Sequence, residues 1–186
     1  MLFTDEDFQE IDPNHDDPMM ITVEIVEYVV MKTLVDQGSS VDILFWDTFK
    51  RLHLREEDIV PFREQIIGFS GERVSTKGYI DLETTFGRGS KTKKIKIRYL
   101  MVDAYSSYNV LLGRSSLNKL GAIISTLHLA MKFSTEKGEI ATIYVNQRDV
   151  RECYAAGLKM NLKTSKDTEK MVAMVDLDPG LTDERL

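Results

Sequence analysis

Asp36 has the setting of a reactive group. The apolar pair Leu34-Val35 leads into it, Gln37 and Gly38 follow, and two small hydroxyl residues, Ser39 and Ser40, come next. A carboxylate at the end of an apolar strand, beside a glycine that lets the backbone approach, is placed for proton transfer. One carboxylate takes or gives one proton. Two within a few ångströms can do both at once, because like charges that close do not readily ionise together and the pair shares a proton over an acidic range. The ionised member then activates water and the protonated member donates to a carbonyl oxygen, which suffices to hydrolyse a peptide bond without a metal. The apparent pKa values belong to the pair.

The sequence supplies one such turn. The next nearest, Val175-Asp176-Leu177-Asp178-Pro179-Gly180, sits in a polar tail with no helix after it, and the apolar run ending at Leu112-Gly113 carries no aspartate. A catalytic pair therefore requires two copies of the chain, each giving Asp36 across a twofold axis.

Other chemistries find less support. His15, His53 and His128 are far apart without metal-ligand spacing and the chain has 1 cysteine, Cys153, so no zinc site and no cofactor are expected. A lone cysteine also forbids an internal disulfide and points to a reducing, intracellular, cytoplasmic setting. Gly87-Arg88-Gly89-Ser90-Lys91-Thr92 has the composition of a phosphate loop but not its spacing, and it lies between strands, so a hairpin turn is expected. Arg88, Lys91, Lys93, Lys94, Lys96 and Arg98 form a basic stretch with no acid among them. It reads as a solvated strand face. Nucleic acid is a weak alternative partner, since no aromatic residues interleave for base stacking and the net charge is −6.

The elements that must position Asp36 follow from periodicity. Residues 1–19 are rich in Asp and Glu, punctuated by Pro13 and Pro18, and read as an acidic, flexible arm. The acidic start lacks the basic and apolar segments of a secretory leader. No apolar run approaches a membrane helix. From Met20, Ile21, Val23 and Ile25 alternate with Thr22 and Glu24, the signature of a half-buried strand. A returning strand brings in Leu34 and Val35, with a reversal near residues 26–28 that no Gly, Pro or Asn marks. Val41, Leu44, Phe45, Phe49 and Leu52 follow helical spacing, which predicts a helix over residues 41–52, with Ser39 and Asp42 in the places of a capping box. Trp46, Phe45 and Phe49 are expected in the core.

Residues 65–82 read as a long hairpin with a polar tip at Ser70-Gly71-Glu72, and a second reversal falls at residues 86–90. The alternation from Lys94 becomes fully apolar by Met101-Val102, a strand that ends inside a core. Val110-Leu111-Leu112 then reaches Gly113, and a short helical stretch ends at Gly121. Three more short strands follow up to Val145. Residues 146–162 carry weak helical spacing, and residues 163–186 read as a linker or tail. The segment strand-Asp36-Gln37-Gly38-Ser39-Ser40-helix is loosely echoed by strand-Leu112-Gly113-Arg114-Ser115-Ser116-helix.

Four pieces taken together carry a resemblance: Leu34-Val35-Asp36-Gln37-Gly38-Ser39-Ser40-Val41-Asp42-Ile43, Ile67-Gly68-Phe69-Ser70-Gly71-Glu72, Tyr108-Asn109-Val110-Leu111-Leu112-Gly113-Arg114 and Leu117-Asn118-Lys119-Leu120-Gly121-Ala122. In order and separation, over residues 20–145, the chain resembles the retropepsin-like aspartic proteases, specifically the protease region of plant gypsy-type long-terminal-repeat retrotransposon polyproteins. The resemblance implies an all-β fold with two or three short helices: a closed acid-protease barrel of pseudo-twofold halves, acting as a homodimer on a polypeptide substrate. It implies that Asp36 is catalytic and that Gly38 and Ser39 belong to the active-site loop. It further implies that Phe69, Ser70, Gly71 and Glu72 lie at a substrate-covering flap, and that Leu111, Leu112, Gly113 and Arg114 thread beneath the loop. The implied activity is an aspartic endopeptidase processing a retrotransposon polyprotein. Gln37 departs from the pattern, which has Thr or Ser there. The alternative is a catalytically silent module of the same fold, kept for interaction or dimerisation, or a retroelement relic.

Overall fold

The computed structural model describes residues 1–9, 11, 12, 14–62, 66, 67 and 73–164. Strand β1 (Met20–Ile25) buries Met20, Ile21, Val23 and Ile25 and turns Glu24 outward, as its alternation requires. It reverses through two residues, Val26 and Glu27, both in the left-handed region with φ of 51° and 83°. That conformation costs a side-chain-bearing residue roughly 1–2 kcal/mol, so Asn or Gly usually occupies such a turn; here Val26 and Glu27 adopt it between the paired strands. Ile25 pairs directly with Tyr28 at the head of β2 (Tyr28–Val35).

After Asp36 the chain does not enter a helix at once. Residues predicted as one helix divide into strand β3 (Asp42–Phe45) and a short helix α1 (Trp46–Arg51). The apolar residues satisfy both periods: in the strand, Asp42 and Leu44 are buried and Ile43 and Phe45 half-buried. Two strand neighbours, one on each side, decide between them, and these are not visible locally. A small hairpin follows, β4 (Ile66–Ile67) with β5 (Arg73–Val74), Ile66 opposite Val74. The long strands β6 (Thr76–Arg88) and β7 (Lys91–Val102) then pair in one register from Arg88↔Lys91 to Gly78↔Met101. Gly87 at their tip has φ 95°, and a Cβ there would lie 2.1 Å from the Lys91 carbonyl oxygen. The glycine-rich segment is therefore the expected hairpin turn.

Strand β8 (Val110–Leu112) and helix α2 (Arg114–Leu120) complete the barrel, which closes in the order β1-β2-β8-β3-β7-β6. Gly121 ends α2 in the left-handed conformation. The fold is mainly β, as predicted, and its halves are related by a pseudo-twofold that the pairing register makes explicit. Val35 pairs with Leu112 in parallel, and Val102 pairs with Phe45 in parallel. Between them Ile43 pairs with Leu111 and Leu44 with Val110, antiparallel. A shift of 67 residues carries Val35 onto Val102 and Phe45 onto Leu112, and it exchanges these pairs with one another. It also carries Val35-Asp36-Gln37-Gly38-Ser39-Ser40 onto Val102-Asp103-Ala104-Tyr105-Ser106-Ser107. The echo seen around Gly113 in the sequence thus aligns the wrong strands: β8 is the counterpart of β3, not of β2.

Buried Ile25, Leu44, Phe86, Ile97, Tyr99, Met101, Val110 and Leu112 belong to one core. The Tyr99 hydroxyl meets Thr84 Oγ1 at 2.9 Å, and burial pushes its pKa well above the usual phenol range. A three-stranded sheet packs alongside, ordered β11 (Ile140–Tyr144), β10 (Ala130–Ser134), β9 (Ile123–Ser125). Phe133 of β10 meets Phe86 edge-on at 6.4 Å. Helix α3 (Gln147–Thr164) follows and buries Val150 and Cys153, with the Cys153 thiol 3.2 Å from the Ser107 carbonyl oxygen.

The N-terminal segment, read as a solvated arm, makes specific contacts. Asp7 is 7% exposed and pairs with Lys132 at 2.7 Å. Phe3 stacks on His128 with centroids 5.3 Å apart, and Phe8 lies tilted against the same ring at 4.2 Å. Arg151 reaches Asp17 at 3.2 Å and Asp12 at 3.4 Å. The cations that receive these acids lie more than a hundred residues downstream, so local composition conceals them.

Candidate active site

Strand β2 delivers Asp36 at its C-terminal end, and β8 holds it there. The Asp36 N–H donates to the Leu112 carbonyl at 2.9 Å, one step beyond the Val35–Leu112 pair. Gly38 N–H donates to Asp36 Oδ1 at 2.8 Å. A Cβ on Gly38 would lie 3.1 Å from that oxygen, so glycine serves here through closeness; unlike several other glycines, it does not adopt positive φ. Asp36 is half-exposed, and Gln37, Gly38 and Ser40 are exposed. The carboxylate is thus fixed by backbone on one side and open on the other.

The Ser39 hydroxyl turns to its own loop and not to the carboxylate. It donates to the Val41 carbonyl at 2.9 Å and closes the loop on itself. Nor does it cap a helix with Asp42, because no helix starts there. The loop rests on the segment after β8. Arg114 N–H donates to the Ser39 carbonyl at 2.9 Å, and its guanidinium reaches the carbonyls of Gln37 and Gly38 at 3.4 and 3.3 Å. Gly113 passes directly under the loop, where a Cβ would meet the carbonyl oxygens of Val41 at 2.3 Å and Ser39 at 2.9 Å. Any side chain at that position would push the loop off its support.

The structure therefore gathers Asp36, Gln37, Gly38, Ser39, Ser40, Leu112, Gly113 and Arg114 into one assembly, with Leu111 paired to both β2 and β3. Phe69, Ser70, Gly71 and Glu72 lie outside the described residues. Two supporting groups went unrecognised in the sequence. Asp42, 3% exposed, accepts from Gly113 N–H at 2.8 Å and from the Ser116 hydroxyl at 2.5 Å, tying β3 to the start of α2. Burial pushes its pKa up, and the Ser116 and Gly113 hydrogen bonds pull it back in part. Its counterpart under the 67-residue shift, Asn109, accepts from Thr48 Oγ1 of α1 at 3.2 Å and donates to the Met31 carbonyl at 2.8 Å. The repeat of Val-Asp-x-x-Ser-Ser was the signal that could have found both.

The basic stretch is balanced by acids across the hairpin. Arg98 pairs with Asp81 at 2.8 Å and Lys94 with Glu83 at 3.3 Å, while Lys93 donates to the Leu120 carbonyl at 2.8 Å. This face is mixed in charge and gives no continuous track for a phosphate backbone. Among the described residues no cluster of His, Cys, Asp and Glu could hold a metal ion.

No protein-family model matches the chain. No curated protein matches it either. Solved structures do. The retroviral protease-like domain of Ddi1 from Leishmania major superposes with a TM-score of 0.56 at 14% identity, over 73% of this chain and 99% of that domain. EIAV protease complexed with the inhibitor HBY-793 matches at 24% identity and a TM-score of 0.45, over 62% of this chain and 99% of that one. A retropepsin-like aspartic protease from Rickettsia conorii matches at 16% identity and 0.43, over 67% and 81%. The likeness to the Leishmania domain shows that the fold is retropepsin-like.

Proposed function

We propose that the chain is an aspartic endopeptidase in which two copies each contribute Asp36 to a shared-proton pair. The observation that carries this reading is the support of Asp36: a half-exposed carboxylate set by Gly38 N–H at 2.8 Å, on a loop underpinned by Gly113 and Arg114. Each copy would present one carboxylate on the twofold axis. One would accept a proton from water and the other would donate to the scissile carbonyl. The substrate would be an extended polypeptide bound through its backbone. The resemblance in sequence makes a retrotransposon polyprotein the substrate of choice.

One observation favours a second reading, a silent module of the same fold. Gln37 stands exposed in the loop, and its side chain makes no hydrogen bond among the described residues. A shorter hydroxyl at that place could bond across the axis with less loss of rotamer freedom than a glutamine.

The test incubates purified protein with a peptide library between about pH 4 and 7, the range of a shared-proton carboxyl pair. Cleavage that pepstatin blocks and Asp36→Asn abolishes establishes the enzyme. A folded dimer without cleavage favours the silent module, and a strict monomer removes the carboxyl pair and with it the enzyme.

A further inference from the structure

A groove of about 1090 Å³ shares no lining residue with the Asp36 loop. One wall is the outer edge of β11. The hydrogen bonds Thr135 N–H to Glu139 O and Val145 N–H to Leu129 O fix the parity of the β10–β11 ladder. Residues 141, 143 and 145 turn their backbone groups toward β10, so Thr142 and Tyr144 turn theirs outward into the groove. Among the described residues nothing pairs with that edge. Facing it is the first half of β1, where Met20 to Thr22 also lack an outer partner, because β6 reaches only Glu24 and Ile25. Two unpaired strand edges across a cleft of this size form a slot for an extended chain.

The charge around the slot is one-sided. Lys32, Arg88 and Lys91 line it from the barrel side, and none has an ion pair among the described residues. The opposing carboxylates are Asp149 and Glu152, and Glu152 is already held by Arg148 at 3.2 Å. We infer that this groove is a docking site for an extended acidic peptide of another protein. The peptide adds as a strand to β11 at Thr142 and Tyr144 and sets its carboxylates against Lys32, Arg88 and Lys91. Backbone pairing gives it affinity and the three cations give it sequence preference.

The experiment measures fluorescence polarisation of a labelled peptide of about eight residues alternating valine and glutamate, titrated with the full chain. Asp36→Asn protein serves beside the wild type, so that binding is read apart from cleavage. Saturable binding is expected in both proteins. A double Arg88→Glu, Lys91→Glu variant, altered only on the hairpin tip, is expected to weaken it at least about tenfold, as is N-methylation of alternate peptide amides. Thr142→Pro is expected to do the same while leaving the fold intact, because its N–H faces away from β10 and an edge strand accepts proline there. Equal affinity for a valine–lysine peptide overturns the proposal, as does indifference to N-methylation. Binding that appears only after residues 165–186 are removed also overturns it, since the chain's own tail is then the occupant.

Discussion

Asp36 and Asp103 are counterparts under the pseudo-twofold, yet they sit at opposite ends of the barrel. β2 runs parallel to β8, β8 antiparallel to β3, and β3 parallel to β7, so β2 and β7 are antiparallel and their C-terminal residues diverge. Asp103 is held by Lys77 at 3.2 Å instead. The repeat that duplicates the aspartate therefore does not bring the two copies together within one chain, and the proposed carboxyl pair would need Asp36 of a second molecule. Asp36→Asn is expected to lower peptide cleavage by about three orders of magnitude or more, as loss of a group acting in a unit does. Asp103→Asn is expected to leave cleavage within about twofold, since an exposed ion pair contributes little. Steady-state rates on one fluorogenic peptide compare the two.

Gly113→Ala tests whether the loop is held from beneath. Its new Cβ would lie 2.3 Å from the Val41 carbonyl oxygen and 2.9 Å from that of Ser39, both backbone atoms of the loop that leads into β3. Overpacking of this kind costs about 1–3 kcal/mol. A fall of that size in denaturant stability is expected, with a larger loss of any cleavage than of folding, because the displaced atoms carry Asp36. Gly121→Ala is the control: there a Cβ meets nothing within 4 Å, and only the φ of 70° opposes it.

Most of the barrel was legible because its strands alternate cleanly or end in apolar runs, as β1 and β7 do. Asp36, Gly38 and Gly113 were legible because few residue types fit such turns. Other features were not. The strand β3 was hidden because Val41, Leu44 and Phe45 satisfy a helical period equally well, and only the pairing with Leu111 and Leu100 settles it. Docking of the N-terminal segment was hidden because the partner of Asp7 is Lys132. The internal symmetry was misaligned because Gly113-Arg114-Ser115-Ser116 imitates Gly38-Ser39-Ser40 more closely than the true counterpart, where Tyr105 stands at the position of Gly38.

Two buried acids, Asp42 and Asp7, give opposite responses to pH. The native pKa of Asp42 is raised above its ordinary 3.8 by burial. The native state thus binds the proton more tightly, and its stabilising effect is complete below 3.8 and lost as pH rises through the raised value. Asp7 is the reverse: the hydrogen bond from Lys132, with the Thr4 N–H, holds its pKa below 3.8. Its contribution is present above 3.8 and lost as pH falls through the lowered value. Wild type is therefore expected to gain stability relative to Asp42→Asn on moving from neutral toward mild acid, read from denaturant midpoints at a series of pH values. Hydrogen exchange of residues 1–9 is expected to accelerate only below the ordinary carboxylate range, and Lys132→Met is expected to show that fast exchange already at neutral pH.

Gln37→Thr asks whether one side chain limits catalysis. The Gln37 backbone is already held through its carbonyl by Arg114, and its side chain stands exposed. A substitution there alters what the loop presents without disturbing the Gly113 support. A threonine hydroxyl can bond to its twin across a twofold axis at the cost of one χ angle, whereas each glutamine must immobilise three. Ordering a glutamine costs up to about 1.5–2 kcal/mol. If the chain is an enzyme restrained by Gln37, Gln37→Thr is expected to tighten dimerisation and to raise kcat/KM by about tenfold or more, the equivalent of 1.4 kcal/mol. Sedimentation equilibrium reads the first quantity and progress curves the second. Tighter dimerisation without cleavage would assign the silence to another part of the site. No change in either would show that Gln37 lies off the axis, and that two copies do not meet through this loop.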